Sequence, residues 1–199
     1  MAHNLNYNAG TGKYSFFSVQ QKAWHNLGQI VEQYPTSAEA IKYAGLDFEV
    51  VKSPLYTHGK GVSIGNDGEI KEGSSILLPD NFATMRTDTN KVFGVVGREY
   101  QIVQNADAFA FFDAIVGGED GILYETAGAL GQGERIFITA KLPDYIRVGN
   151  GDDVTEKYIF LTTSHDGSGS ITAAFTPIRI VCQNTLNASL RSMSNVVRI

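Results

Sequence analysis

Apolar residues recur at helical spacing in three separate stretches of the chain, and two of these have clear start signals. Residues 37–44 follow Thr36, and Glu39 stands three residues after it, which is the arrangement of a capping box. Residues 106–116 follow Asn105, a favoured N-cap residue, and place aromatic and small apolar residues on one face. The sequence therefore predicts two short helices, over 37–44 and 106–116.

The third stretch lies at the end of the chain and predicts an amphipathic helix that begins near Asn184 or Thr185, either of which would cap it. Its apolar seam comprises Leu186, Leu190, Met193 and Val197. The neighbouring stripe is polar and basic and comprises Asn187, Arg191, Ser194 and Arg198. Because the pattern still continues at Ile199, we expect either that the natural chain extends further or that this helix docks on a partner.

Between the helices, apolar and polar residues alternate in short runs that are separated by turn residues, which predicts strands. The predicted strands and hairpins cover residues 48–56, 62–70, 82–87, 92–96, 122–129, 135–142, 158–164 and 171–182. Because strands outnumber helices and short turns join them, we predict an α+β fold. It should consist mostly of antiparallel sheet with β-hairpins and about three short helices.

The length of 199 residues fits one domain with a small addition. Residues 1–20 are polar and then aromatic, so we expect an irregular N-terminal arm that docks through Tyr14, Phe16 and Phe17. Residues 21–199 are predicted to form a single α+β domain, and the helical pattern at its end leaves truncation there as one of the two alternatives given above.

Composition narrows the class of protein. A single Cys excludes a disulfide framework and a thiolate zinc site. The four His residues are not at a metal-ligand spacing, so we predict neither a metal nor a cofactor. No apolar run reaches the roughly 20 residues of a membrane span, and the N-terminus lacks the features of a signal peptide. We therefore expect a cytoplasmic protein with no membrane partner.

The distribution of charge is more informative than the net charge of −5. After Asp166 the chain contains no further Asp or Glu, but it contains three arginines. Such an asymmetry predicts an anionic partner for the last strand and helix. The candidate contacts to single-stranded nucleic acid are Arg179, Arg191, Arg198 and Asn187. The alternative is that these arginines pair with acidic residues from earlier segments.

Two other functions stay open. A Cys-dependent enzyme would use Cys182 at a helix start, with His165 and Asn184 as its partners. Alternation with Ile178 and Ile180 instead predicts that Cys182 is buried in the core. A protein-interaction or self-assembly module would bind a host protein or a second copy through the apolar seam of the last helix. We prefer a binding function to catalysis.

Several segments from Trp24 onward carry a resemblance to a known family. They are Trp24-His25-Asn26-Leu27-Gly28, Glu39-Ala40, Ala44-Gly45-Leu46-Asp47, Val95-Val96-Gly97-Arg98-Glu99-Tyr100, Val103-Gln104-Asn105, Glu125-Thr126-Ala127-Gly128-Ala129-Leu130, His165-Asp166-Gly167-Ser168 and Thr176-Pro177-Ile178-Arg179-Ile180-Val181-Cys182-Gln183-Asn184-Thr185-Leu186. In these segments the chain resembles phage- and plasmid-borne proteins that share a domain of unknown function, DUF932. The resemblance implies a mobile-element origin and a setting in the cytoplasm of a bacterial host or phage-infected cell. It implies no reaction, so we interpret the chain as a non-catalytic accessory protein of a phage or plasmid.

Overall fold

The computed structural model describes residues 3–59, 63–71, 74–116, 123–147 and 154–199. Its helices are α1 (Ser37–Tyr43), α2 (Asn105–Val116) and α3 (Gln183–Ser192). Its strands are β1 (Tyr7–Asn8), β2 (Lys13–Tyr14), β3 (Phe16–Val19), β4 (Gln29–Val31), β5 (Val50–His58), β6 (Ser63–Ile64), β7 (Ile70–Lys71), β8 (Ser75–Arg86), β9 (Lys91–Gly97), β10 (Leu123–Leu130), β11 (Arg135–Arg147), β12 (Val154–Ser164), β13 (Thr172–Thr176) and β14 (Ser194–Arg198). The described residues thus form an α+β fold with three helices and mostly antiparallel strands, which confirms the predicted class.

A seven-stranded sheet forms the centre of the fold, in the order β14-β13-β12-β11-β10-β3-β4. Neighbouring strands in this sheet are antiparallel, except β3 and β4, which are parallel. Residues 136–140 of β11 and 158–164 of β12 are buried without interruption, so both faces of the sheet are covered there. This explains why residues 136–138 and 158–161 are continuous runs of apolar and aromatic residues rather than alternating ones.

The two faces of the seven-stranded sheet support two separate core layers. The first layer includes Ile136 and Ile138 and is covered by α1 and α2. The second layer includes Phe137 and Phe160 and is covered by α3, whose Leu186 is fully buried. Successive side chains of a strand point to opposite faces, which is why neighbours on β11 belong to different layers.

The strand β3 corrects the expectation of an irregular N-terminal arm over residues 1–20. Phe16–Val19 are all buried, and Phe17 pairs with Ala127 of β10. Phe16 and Phe17 do dock the N-terminal segment, as expected, but as sheet residues on opposite faces. The strand escaped prediction because both of its faces are buried, so no alternation of apolar and polar residues marks it.

The helix α1 begins with the predicted capping box. Glu39 N donates to Thr36 Oγ1 (3.4 Å), and Thr36 N donates to Glu39 Oε2 (2.9 Å). Two backbone N–H groups that the helix itself cannot satisfy therefore find partners. Gly45 follows the helix with a φ of 61°, a conformation that ends helices and suits glycine.

The second sheet contains three strands in the order β5-β8-β9, which confirms the predicted hairpin at 82–87 and 92–96. β5 and β8 continue beyond the end of β9 as a two-stranded extension, residues 55–58 paired with 75–78, which we call the distal ribbon. The predicted hairpin at 62–70 is present as β6 and β7. Residue 62 and the predicted strand start at residue 122 lie outside the described residues.

The end of the chain differs from the predicted helix. α3 ends at Ser192, and β14 follows as an edge strand paired with β13. Asn195 has a φ of 49°, a left-handed conformation that interrupts a helix, and the β-branched pair Val196-Val197 favours a strand. The predicted continuation of helical spacing through Val197 and Arg198 is therefore wrong.

The start of α3 also differs from the prediction. Cys182 occupies the N-cap position, rather than Asn184 or Thr185. The Thr185 hydroxyl instead accepts from the backbone N–H groups of Val181 (2.9 Å) and Cys182 (3.0 Å). The strand predicted over 171–182 is correspondingly shorter, because β13 ends before Pro177, which has no N–H to donate to a sheet.

Candidate functional site

Arg179 is bonded within the protein rather than presented to a ligand. Its Nε lies 2.6 Å from Glu125 Oε1. Its Nη2 donates to Val19 O (3.0 Å) and Gln21 O (3.3 Å). The prediction that Arg179 contacts nucleic acid is therefore wrong, and the alternative holds for this residue, since an acid from an earlier segment neutralises it.

The partner of Arg179 owes its position to a β-bulge. The pairing of β10 with β11 shifts between Tyr124 and Thr126, so Glu125 is an extra residue whose side chain is redirected. Burial raises the pKa of Glu125, and the charge of Arg179 acts against this rise. The two side chains form a mostly buried ion pair that connects β10 to the segment before α3.

The exposed face of α3 contains no acidic residue. Asn184, Asn187 and Arg191 are exposed, and Gln183 Nε2 donates to Asn187 Oδ1 (2.9 Å). Arg191 lies in the last helical turn, where a cation also interacts favourably with the helix C-terminus. Within the described ranges no acidic side chain forms an ion pair with Arg191. The charge of Arg191 therefore remains accessible to a ligand.

Arg198 lies on β14, opposite Thr172 of β13, and not on a helix. Every residue of β14 is exposed. None of the acidic side chains that the structure describes pairs with Arg198. Arg191 and Arg198 are thus both exposed, but they belong to two successive elements rather than to one helical stripe.

Trp24 adds an aromatic ring to the region beside α3, with 63% of its surface exposed. Its ring centroid lies 4.5 Å from that of His3 and 5.6 Å from that of His25. His3 O accepts from Gln183 N (3.1 Å), at the start of α3, and His25 Nε2 contacts Val181 O (3.0 Å). Trp24 therefore lies beside the first turn of α3.

We call Trp24, Asn184, Asn187 and Arg191 the α3 surface. The sequence singles out Trp24 as part of a segment that carries the family resemblance, but it does not show that the ring is exposed. That exposure depends on contacts with residues more than 150 positions away, such as the one between His25 and Val181.

His25, whose ring lies beside that of Trp24, is held in one tautomer. Its Nδ1 accepts from Leu27 N (3.0 Å), so its Nε2 must carry the hydrogen that is donated to Val181 O. Burial is the main cause that lowers the pKa of His25, and nearby His3 lowers it further, although the bond to Val181 acts in the opposite direction. The neutral ring matches the hydrogen bonds that it makes.

Cys182, His165 and Asn184 are not brought together. Cys182 is fully buried in the second core layer. His165 is buried against Phe48, which belongs to the first layer on the opposite face of the sheet. Asn184 is exposed. The predicted Cys-dependent site is therefore wrong, and the alternative that Cys182 is a core residue is confirmed.

His165 connects the end of β12 to the start of α2. Its Nε2 lies 2.9 Å from Asn105 Oδ1, while Asn105 Nδ2 donates to Leu46 O (2.9 Å). Because the amide nitrogen of Asn105 donates, its oxygen accepts, and His165 Nε2 carries a hydrogen. The ring also stacks on Phe93 with 6.0 Å between centroids. Burial lowers the pKa of His165 to about 4, so the neutral ring predominates at pH 7.

Most of the apolar seam predicted for self-assembly packs against the core of the protein itself. Leu186 is fully buried, and Leu190 and Met193 pack against the second core layer. Val197 lies apart from them on β14, where it is exposed. The prediction of a partner bound through this seam is therefore wrong, because three of its four residues already cover the protein's own core.

Two adjoining cavities, of about 660 and 750 Å³, lie beside the hairpin formed by β1 and β2. Both cavities are lined by Asn8, Tyr14, Leu27 and Arg86. Lys13 and Lys42 border the smaller cavity, which we call the first chamber, and Lys91 borders the larger one, the second chamber. The sequence did not predict this site, because its walls combine the N-terminal segment with residues of the second sheet and of the turn before β11.

Across the described ranges, no group of three or more His, Cys, Asp or Glu side chains could hold a metal ion. No helix in the described residues is long and apolar enough to cross a membrane.

A search of the curated proteins found no match, and a search of the solved structures found none either. The family model described as "Domain of unknown function (DUF932)" matches residues 92–199. The match takes in most of β9, both α2 and α3, and the five strands β10 to β14. It therefore includes Arg191 and Arg198, while Trp24 and most residues of the two chambers precede it. Because the matched region is more than half of the chain, the chain belongs to the DUF932 family.

Proposed function

We propose that the protein binds single-stranded nucleic acid as an accessory protein of a phage or plasmid and does not itself catalyse a reaction. The observation that carries the proposal is the α3 surface, where the exposed ring of Trp24 lies beside a helix face without acidic residues. Unpaired bases stack on exposed aromatic rings whatever their sequence, and arginine contacts phosphates. A duplex would offer few free base faces to Trp24, which favours a single strand.

Local charge supports the proposal although the whole chain carries −5. Arg191 and Arg198 are exposed, and no ion pair within the described residues occupies either of them. Each phosphate contact on a single strand lowers the slope of log K against log salt by about 0.7. Two such contacts give a slope of about −1.4, so binding should be moderate and readily weakened by salt.

The stacking contact can be observed directly, because Trp24 is the single Trp of the chain. Titration with an oligothymidine should quench its fluorescence as bases stack on the indole. Trp24→Ala should weaken binding by about tenfold, since one base–aromatic stack contributes about 1–3 kcal/mol. Binding of a labelled oligonucleotide, followed by anisotropy, provides the affinity of the variant.

The phosphate contacts are tested by the double variant Arg191→Ala/Arg198→Ala, measured at two salt concentrations. Its salt slope should approach zero, while the slope of the control variant Arg98→Ala should equal that of the wild type. Arg98 is exposed but pairs with Asp80 (2.8 Å) in the second sheet. Unchanged fluorescence at saturating oligonucleotide, or an unchanged slope in the double variant, contradicts the proposal.

A second candidate function is self-assembly through the distal ribbon, rather than through the apolar seam that was predicted for the last helix. Tyr56 and Leu77 form a cross-strand pair on one face of the ribbon, and Ile76 lies on the other, all three about half exposed. Light scattering should then show a mass that rises with concentration. Leu77→Lys should abolish that rise, whereas Lys22→Ala, distant from the ribbon in the sequence, should not.

A further inference from the structure

We propose that the two chambers beside the β1–β2 hairpin bind a nucleotide, with Arg86 and the neighbouring lysines contacting its phosphate and Tyr14 contacting its base. This inference is independent of the α3 surface, because the residues lining the chambers do not include any of that surface.

Arg86 lines both chambers and is only 3% exposed. The carbon of its guanidinium lies 3.8 Å from the centroid of the Phe48 ring, a cation–π contact. Gly133 adjoins both groups, since a Cβ there would lie only 2.9 Å from Arg86 Nη1 and 3.4 Å from Phe48 Cζ. The guanidinium therefore packs against an aromatic ring and a glycine, and its two hydrogen bonds to Asp88 hold it in one position.

The hydrogen bonds of Arg86 leave one edge of the guanidinium weakly occupied. Nε and Nη2 donate to the two carboxylate oxygens of Asp88 at 2.5 and 2.8 Å. Nη1 makes only a long contact of 3.4 Å with Asn6 Oδ1, which already accepts from Ser15 Oγ (3.0 Å). A buried donor with so long a bond is costly unless a further acceptor completes it. An oxygen of a phosphate in the chambers would be such an acceptor.

The charges around the chambers favour an anion. The cationic residues that line them are Lys13, Lys42, Arg86 and Lys91. The acidic residues are Asp47, Asp88 and Glu134. Two of these acids already accept hydrogen bonds from the protein, Asp88 from Arg86 and Glu134 from Gln132 N (2.6 Å). The balance around the chambers is therefore positive, opposite to that of the whole chain.

The remaining walls suit an aromatic base better than a simple anion. Tyr14 lines both chambers, and its ring centroid lies 5.1 Å from that of Tyr7, which lines the second chamber. The carboxamide of Asn4 in the same walls can donate to and accept from the edge of a base. Asn8 can donate through Nδ2, because its Oδ1 already accepts from Gly10 N (2.9 Å) and Thr11 N (3.2 Å). Each chamber lies within the roughly 300–1,000 Å³ of typical small-molecule sites. A free nucleotide and the terminal nucleotide of a strand share this chemistry.

The ligand class is tested by calorimetric titration of the full chain with AMP, adenosine and inorganic phosphate. AMP should bind, and adenosine and phosphate should each bind at least tenfold more weakly, because each lacks one half of the recognised chemistry. Absence of AMP binding at millimolar concentration, or equal binding of adenosine and AMP, overturns the proposal.

The location of the AMP site is tested by replacing exposed lysines, because such substitutions leave the fold intact. Lys13→Ala and Lys42→Ala should each weaken AMP binding about threefold to tenfold. Lys22→Ala is the matched control, because Lys22 is exposed and lines neither chamber. Arg86→Lys should abolish binding if the variant folds. Equal effects of the three lysine variants place the bound AMP elsewhere and overturn the proposal.

The chambers could bind a free nucleotide or the terminal nucleotide of a strand. Competition of AMP with 5′-phosphorylated and with unphosphorylated oligothymidine distinguishes the two. Displacement of AMP by the phosphorylated strand alone identifies a strand end as the ligand. Binding of AMP that neither strand disturbs identifies a free nucleotide, and both results support the site. Trp24→Ala should leave AMP affinity unchanged, so failure of the α3 surface and failure of the chambers give different results.

Discussion

His165 should make the stability of the fold fall as the pH is lowered. Its pKa in the folded state is about 4, below the roughly 6.5 expected for an unfolded chain, because burial disfavours the charged ring. The unfolded state therefore takes up a proton first, and stability is lost between about pH 6.5 and pH 4. We expect a loss of about 3 kcal/mol from this residue. Urea unfolding at several pH values measures it.

The control for this prediction is His165→Gln, which cannot titrate. Other groups also contribute over the same range; for example, burial also lowers the pKa of His25. The informative quantity is thus the difference between the wild type and the variant. The variant should be less stable at pH 7, and its stability should depend less on pH. An identical pH dependence in both proteins would falsify the role of His165.

Breaking the Glu125–Arg179 ion pair should destabilise the fold strongly. The exposed fractions of the two side chains are only 8% and 17%, so removing one partner leaves a charge without compensation. Arg179→Met should cost about 3–5 kcal/mol, and the second change Glu125→Gln should recover part of that loss. Chemical denaturation of the two single variants and the double variant forms a complete cycle. Additive losses would show that the two side chains do not interact.

For single residues, the sequence shows which chemical groups are present but does not predict which groups they contact. It contained both Arg179 and Glu125, yet nothing in the spacing of two residues that lie 54 positions apart shows that a β-bulge brings them together. His165 was likewise visible as a chemical group. Its pairing with Asn105 depends on how α2 packs on the sheet, which is a property of the tertiary structure.

Among the elements, those with local signals were predictable. The start of α1 follows from Thr36 and Glu39, because both partners of the capping box lie within one turn. β3 and β14 were not predictable, because each is defined by the strand beside it. Val197 matches a helical spacing from Leu186, but the free edge of β13 offers it backbone partners instead.

Substitutions of Asn195 can test whether residues 194–198 form a strand or continue the helix α3. Their effects on stability should have opposite signs in the two cases. Asn195 has a φ of 49° within β14, at the register shift between the pairs Ser194–Phe175 and Val197–Ala173. Asn195→Ala should therefore destabilise the pairing by roughly 1 kcal/mol, since alanine tolerates this conformation poorly, and Asn195→Gly should not. In a continuous helix, alanine would stabilise and glycine would destabilise. Thermal unfolding of both variants decides between them.

At the scale of the whole molecule, the candidate sites lie where distant segments meet. The chambers combine the N-terminal hairpin with Arg86 and with the turn before β11. The α3 surface combines Trp24 with a helix more than 150 residues further along the chain. The sequence indicated the charge asymmetry of the C-terminal segment. It did not show that the ring of Trp24 lies beside that segment, which depends on the tertiary structure.

The distal ribbon should be less stable than the rest of the second sheet and than the seven-stranded sheet. Residues 55–58 and 75–78 pair only with each other, because β9 ends where Gly97 pairs with Asn81. A two-stranded hairpin is at best marginally stable in water, and exposed Ile76 and Leu77 bury little apolar surface there. β11, by contrast, has a partner strand on each side and a covered core layer on each face.

Amide hydrogen exchange should therefore show opening free energies of about 1–2 kcal/mol in the distal ribbon, whereas β11 should open only with global unfolding. The measurement is made at two protein concentrations, because the same exposed side chains are the candidates for self-assembly. Protection of the ribbon that rises with concentration would mean that a second copy covers it. Protection equal to that of β11 at low concentration contradicts the prediction, because the monomer itself would then stabilise the ribbon.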